Sequence, residues 1–139
     1  MSPNTWVLDA SAILRLFLEG PHRAEIMRIV RSHGEFHSPA WTLLEIANAL
    51  KTAVSMKTKL ITTEEAETIF SDVCRLEFVR HEADTDLIKE ALDLAIRCGL
   101  TVYDAVYVVL AQQLSAVVLT ADAKLIVAAA RHGLPVYKF

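Results

Sequence analysis

Asp9, Glu45, Asp104 and Asp122 are the side chains of this chain best placed to do chemistry. Asp9 closes the apolar run Trp6-Val7-Leu8, Asp104 heads the almost uncharged stretch 105–114, and Asp122 follows Ala116-Val117-Val118-Leu119-Thr120. A carboxylate at the edge of a buried segment needs a partner, yet no Lys or Arg lies within three residues of Asp9, Glu45 or Asp104. Clustered acids repel unless a cation intervenes, and hard carboxylate oxygens suit Mg²⁺ or Mn²⁺. Taken singly, each has a structural explanation: Asp9, Asp104 and Asp122 could cap the helices that follow them, and Glu45 could be an ordinary helix-surface residue. Other chemistries find no residues. The serines lack a glycine-flanked nucleophile elbow, and there is no Gly-rich phosphate loop. Cys74, Cys98 and the five histidines lack ligand spacing; the cysteines read as small buried residues and the histidines as surface or loop residues.

At 139 residues the chain fits one domain, 1–139, with a core that needs no disulfide. An apolar fraction of 53% and a mean hydropathy of +0.34 point to a thoroughly buried sheet and to an apolar surface used for self-association, so a homodimer is expected. No apolar run approaches the length of a membrane span and no signal-like start is present, so an intracellular, cytoplasmic chain is expected. The net charge of −3 hides an uneven distribution, because ten of the 17 acids fall within 61–93. With the four singled-out carboxylates neutralised by metal the balance becomes +1, which leaves room for a phosphate-backbone partner.

Elements that could position the acids follow from periodicity. Residues 6–9 read as a buried strand, and 11–18 as a helix with Ile13, Leu14, Phe17 and Leu18 at helical spacing. A second helix is expected from 22 to about 32, a strand at 36–38, and a long helix from Pro39 to about 57. Thr62-Thr63-Glu64-Glu65 reads as a capping box. A third strand is expected at 76–79. Asp84 or Thr85 should cap a helix whose stripe is Leu87, Ile88, Ala91, Leu92 and Ala95, with Gly99 as its left-handed end. The Val-rich segment 102–114 is read as a buried helix, 116–120 as a strand, 123–131 as a helix ended by Gly133, and 136–137 as a last short strand. Alternation of this kind implies an α/β fold: about five parallel strands flanked by helices.

In such a sheet ligands bind beyond the carboxyl ends of the strands. Asp9 and Asp122 fall at or just after strand ends, and Asp104 at the head of a helix. Glu45 lies on the long helix opposite an apolar stripe of Leu43, Ala47, Leu50 and Val54, at about 100° per residue, beside Trp41, Asn48, Ala49 and Thr52.

These residues carry a family resemblance. The opening Val7-Leu8-Asp9-Ala10-Ser11-Ala12, the helical Glu45-Ile46-Ala47-Asn48-Ala49-Leu50, the stretch Thr101-Val102-Tyr103-Asp104-Ala105 and the late Leu119-Thr120-Ala121-Asp122 resemble, in order, the four acidic motifs of PIN-domain ribonucleases. The short form is similar to the VapC-type toxins of toxin-antitoxin pairs. The resemblance implies a metal-dependent endoribonuclease with Asp9, Glu45, Asp104 and Asp122 as the acidic quartet. Asp9 and Asp104 would bind Mg²⁺ or Mn²⁺ directly; Glu45 and Asp122 would bind it, bind it through water, or orient the attacking water. Ser11, Asn48 and Thr120 would support them. A homodimer held inactive by a small VapB-type antitoxin is also implied. Three rivals remain. An aspartyl phosphotransferase would want a second Asp where Ser11 stands; the others are a non-catalytic PIN-like module and a structure-specific DNA nuclease.

Overall fold

Four short strands, β1 (Thr5–Leu8), β2 (Glu35–Pro39), β3 (Val79–His81) and β4 (Val117–Leu119), form a parallel sheet in the order β3-β2-β1-β4 in the computed structural model, which describes residues 4–139. The registers Val7↔His37 and Leu8↔Leu119 place β1 at the centre. Parallel strands need crossovers, and each one here is helical. With both faces covered, β1 and β4 read as near-continuous apolar runs rather than alternating ones.

On one face, Trp6, Leu8 and Leu119 pack against α1 (Ala10–Leu14), α2 (Arg23–Arg31), α3 (Thr42–Ser55) and α4 (Thr63–Cys74). On the other, Val7 and Val118 pack against α5 (Thr85–Cys98), α6 (Val102–Leu114) and α7 (Ala123–His132). Helix α6 is buried all round from Ala105 to Ala111, so its valines line a core instead of forming a strand. The Thr62 box closes as expected, with Glu65 N–H donating to Thr62 Oγ1 and Thr62 N–H to Glu65 Oε1. Asp84 caps α5, and Gly99 and Gly133 end their helices at φ 67° and 64°.

Several expectations are corrected. The segment 136–137 contributes only an isolated bridge, Val118↔Val136, so the sheet has four strands instead of about five. The third strand starts at Val79, because Leu76 and Phe78 are spent closing the turn after α4 through bonds to Val73 O and Leu76 O. Pro39 ends β2, since Ala40 N–H still donates to His81 O, and α3 begins at Thr42. The first helix regularises only as far as Leu14; beyond it Leu16 and Phe17 tighten into i→i−3 bonds, and Leu18 closes the turn on Leu14 O. The core stripe of α3 is Thr42, Ile46, Leu50 and Ala53; of the expected stripe only Leu50 belongs to it, and Ala47 and Val54 face a groove against α4. On α5 the buried residues are Leu87, Ala91, Leu94 and Ala95, and Ile88, Leu92 and Ile96 face out. Cys74 is exposed and both cysteines are free. His37 is buried in β2, its Nδ1 2.8 Å from His81 Nε2, rather than lying on the surface.

No single helix among the described residues is long and apolar enough to cross a membrane; α5 and α6 together carry enough apolar length but bend by 113° around Gly99. That bend points the first turn of α6, and so Asp104, at the strand ends. Its left-handed backbone has open space around Cα, so Gly99→Ala should cost about 1 kcal/mol of backbone strain without a clash, lowering the melting temperature by a few degrees in a thermal scan.

Candidate active site

Leu8 and Leu119 are register partners, so the residues after them leave the sheet side by side. Asp9 N–H continues the ladder to Leu119 O at 3.4 Å, and the Asp9 side chain turns into the interior, only 6% exposed. Three donors meet it. Ser11 Oγ donates to Oδ1 at 2.6 Å, Ala12 N–H to the same oxygen at 3.0 Å, and Thr120 Oγ1 to Oδ2 through a short bond. Both hydroxyls are oriented from behind: Ser11 Oγ accepts from Ala121 N–H at 2.9 Å, and Thr120 Oγ1 from Asp122 N–H at 3.0 Å. The loop after β4 is thereby tied to the carboxylate. Asp9 caps α1 as well as standing in the cluster, and Asp122 caps α7 through Lys124 N–H at 2.9 Å.

Asp104 is not a cap. Thr101 takes that role, accepting from Asp104 N–H at 3.1 Å, which leaves the Asp104 carboxylate free of the task that residue type performs at a helix start. Glu45, on the first turn of α3, has one oxygen fixed: Tyr107 Oη donates to Oε1 at 2.6 Å and lies 2.7 Å from Thr42 Oγ1. Tyr107 is 1% exposed, so this bond ties α6 to α3 through the core. Asn48 stands apart: it is exposed, and no hydrogen bond among the described residues joins its side chain to an acid. Sequence reasoning missed Thr42, Thr101 and Tyr107. The first and last sit one helical turn from Glu45 and Asp104, the spacing that faces a side chain toward its neighbour.

Electrostatics tie the four acids together. Burial raises the Asp9 carboxyl from an ordinary 3.8 to about 6, against the lowering effect of its donors, and the charge of Asp104 adds to the rise. Glu45 is raised by desolvation and again by Asp104, against the Tyr107 bond. Asp104 itself is raised by desolvation and then by Asp122. Asp104 therefore feels or exerts repulsion on every other member. Among the described residues no three His, Cys, Asp or Glu side chains stand at the spacing of a ready-made metal cage. Mg²⁺ does not need one, because it keeps several waters and takes one or two protein carboxylates. The donor set is all hard oxygen, is in no ion pair among the described residues, and carries like-charge repulsion that a divalent ion would relieve.

A raised carboxyl means that the native state holds a proton which the unfolded chain has already released, so stability falls as pH rises from about 4 to about 6. In chelator, Asp9→Asn should match or exceed the wild type in stability above pH 6, by at most about 3 kcal/mol, with the difference closing toward pH 4. Denaturant melts across that range read the outcome. A variant much less stable than the wild type at pH 7 would show that donors to the charged oxygens outweigh burial.

Comparison with known proteins agrees with this architecture. The PIN domain profile matches residues 6–131. The chain is 30% identical over 120 residues to Ribonuclease VapC3 of Pyrobaculum aerophilum, covering 86% of this chain and 90% of that one. Its fold is similar to that of a toxin-antitoxin complex from Klebsiella pneumoniae (TM-score 0.66, 13% identity, 95% of each chain). It is equally similar to Mycobacterium tuberculosis VapC20, described as a sarcin-ricin loop cleaving toxin (TM-score 0.66, 12% identity, 93% of this chain and 95% of that one). A profile covering most of the chain and a relative 30% identical over nearly the whole of both chains leave one assignment: the chain belongs to the PIN-domain family.

Proposed function

We propose that this chain is a single-domain endoribonuclease of the VapC type, the toxin of a toxin-antitoxin pair, using Mg²⁺ or Mn²⁺ to hydrolyse an RNA phosphodiester bond. The carrying observation is the convergence of Asp9, Glu45, Asp104 and Asp122, from four separate elements, at the carboxyl end of the sheet, with no ion pair to any of them among the described residues. The ribonuclease name of the relative that aligns over most of both chains supports the substrate class.

A divalent ion bound here would supply positive charge opposite the phosphate and lower the pKa of a water bound to it. Asp9 and Asp104 would hold it, and Asp122 and Glu45 would complete the set directly or through water. Ser11 and Thr120 keep both Asp9 oxygens oriented, so the carboxylate does not swing when substrate arrives. Tyr107 fixes Glu45 Oε1, leaving Oε2 to orient and take a proton from the water that adds to phosphorus as the P–O bond to the leaving nucleotide breaks, the departing oxygen taking its proton from solvent.

Partners follow the same reading. Toxin-antitoxin complexes are among the similar structures, including one from Klebsiella pneumoniae, and a small VapB-type antitoxin is the proposed inhibitor. Ile88, Leu92 and Ile96 recur at four-residue intervals on the outer face of α5, an apolar stripe suited to joining two copies. Light scattering at micromolar concentration should give a dimer, and Leu92→Glu with Ile96→Glu should give a monomer; a monomeric wild type would refute this.

Purified protein freed of its partner should cut RNA with Mg²⁺ or Mn²⁺ and stop in EDTA. Because Thr101 caps α6, Asp104→Asn should fold normally, and relief of repulsion should hold or raise its metal-free stability. Cleavage should fall by orders of magnitude, and added metal should raise the melting temperature of the wild type far more than that of the variant. Undiminished cleavage in chelator, or a fully active Asp104→Asn, would overturn the mechanism.

A further inference from the structure

Beside the acids stands an aromatic corner to which the reaction assigns no task. Trp41 immediately precedes α3, with its carbonyl accepting from Glu45 N–H at 3.3 Å, and Tyr103 immediately precedes Asp104 in α6. Their rings meet edge to face, centroids 5.8 Å apart at 74°, and Trp41 also leans on buried Tyr107 at 5.1 Å. Tyr107 is accounted for by the core and by Glu45. Tyr103 is not, since its side chain is 67% exposed.

The charges around the corner limit what it can bind. Helix α6 contains no Lys or Arg, and the first cation of α3 is Lys51, six residues beyond Glu45. Near four carboxylates the RNA backbone is repelled wherever no metal intervenes, so any grip the chain itself exerts here must fall on an uncharged part of the substrate. Nucleobases are that part. Unpaired RNA bases are commonly held by stacking on aromatic side chains. Two rings set at a steep angle offer a face for one base and an edge for its rim.

We propose that Trp41 and Tyr103 form a stacking subsite for an unpaired nucleobase next to the bond being cut. The inference rests on the ribonuclease reading above and deepens it: the preferred substrate is a single-stranded or loop segment, one base of which is splayed onto Tyr103.

The test measures equilibrium binding of an oligoadenylate of about ten nucleotides, within the range single-strand sites span, and of an abasic ribose-phosphate oligomer of equal length. Wild type, Tyr103→Ala and Tyr103→Phe are compared, alongside cleavage of an RNA that the wild type cuts. Tyr103→Ala should lose roughly five- to a hundredfold in affinity for oligoadenylate, the effect of removing one stack, and nothing for the abasic oligomer. Tyr103→Phe should retain wild-type binding, and KM for cleavage should rise with Tyr103→Ala by the same factor. Oligoadenylate should quench Trp41 emission, separable from that of Trp6, which is buried. Equal wild-type affinity for the two probes, or equal loss on both in Tyr103→Ala, overturns the subsite. So does dissociation of a dimer by Tyr103→Ala that accounts for the loss, because the ring would then serve a subunit contact. A wild type that cuts no RNA brings down the ribonuclease reading together with the subsite; one that cuts RNA indifferently to Tyr103 brings down the subsite alone.

Discussion

A carboxylate kept inside the protein is the constraint on which the site depends. Withdrawing Asp9 from water is costly, and its carboxyl is raised to about 6 even with three donors directed at it. Two of those donors are local, Ser11 and Ala12 at the start of α1, but the third, Thr120 just after β4, lies 111 residues away in the chain. Satisfying one residue therefore requires β1 and β4 to be neighbours in the Leu8↔Leu119 register and the following loop to fold back, with the amides of Ala121 and Asp122 behind the two hydroxyls. Asp122 is placed by the same bonds that quiet Asp9.

The second half of the cluster is held by Tyr107. It spans from the middle of α6 to Glu45 and Thr42 on α3, crossing the core with a single hydroxyl. Burial and the neighbouring Glu45 charge both push its phenol far above the ordinary value, so it stays a donor at every working pH. A loose glutamate on a helix surface becomes a carboxylate with one oxygen committed and one available.

Apolar residues serve two ends. Most close the two cores on either side of the sheet, and α6 is apolar all round because it is surrounded. Others, Ile88, Leu92, Ile96 and Tyr103 among them, remain outside, on the faces proposed above for a second copy and for a base. The acids pull against this packing: grouped carboxylates destabilise the metal-free fold, a cost borne where the proposed chemistry needs it.

Much of this was legible in the sequence. The alternation of apolar strands with amphipathic helices fixes a parallel α/β sheet, Gly99 and the Thr62 box mark their helix ends, and Asp9, Ser11, Thr120 and Asp122 are recognisable because they sit where strands run out. What sequence could not decide was direction and partnership. Helical spacing says that apolar residues share a face but not whether that face meets the core or solvent, so Ile88 and Leu92 fall into one stripe with buried residues they do not join. An Asp at a helix start looks like a cap until Thr101 is seen to take the amide. Tyr107, sixty-two residues from Glu45, could be matched to it only by the tertiary structure. Periodicity is local and encodes which face a residue shares; hydrogen bonds between elements depend on how those faces dock, and that is decided only when the whole core closes.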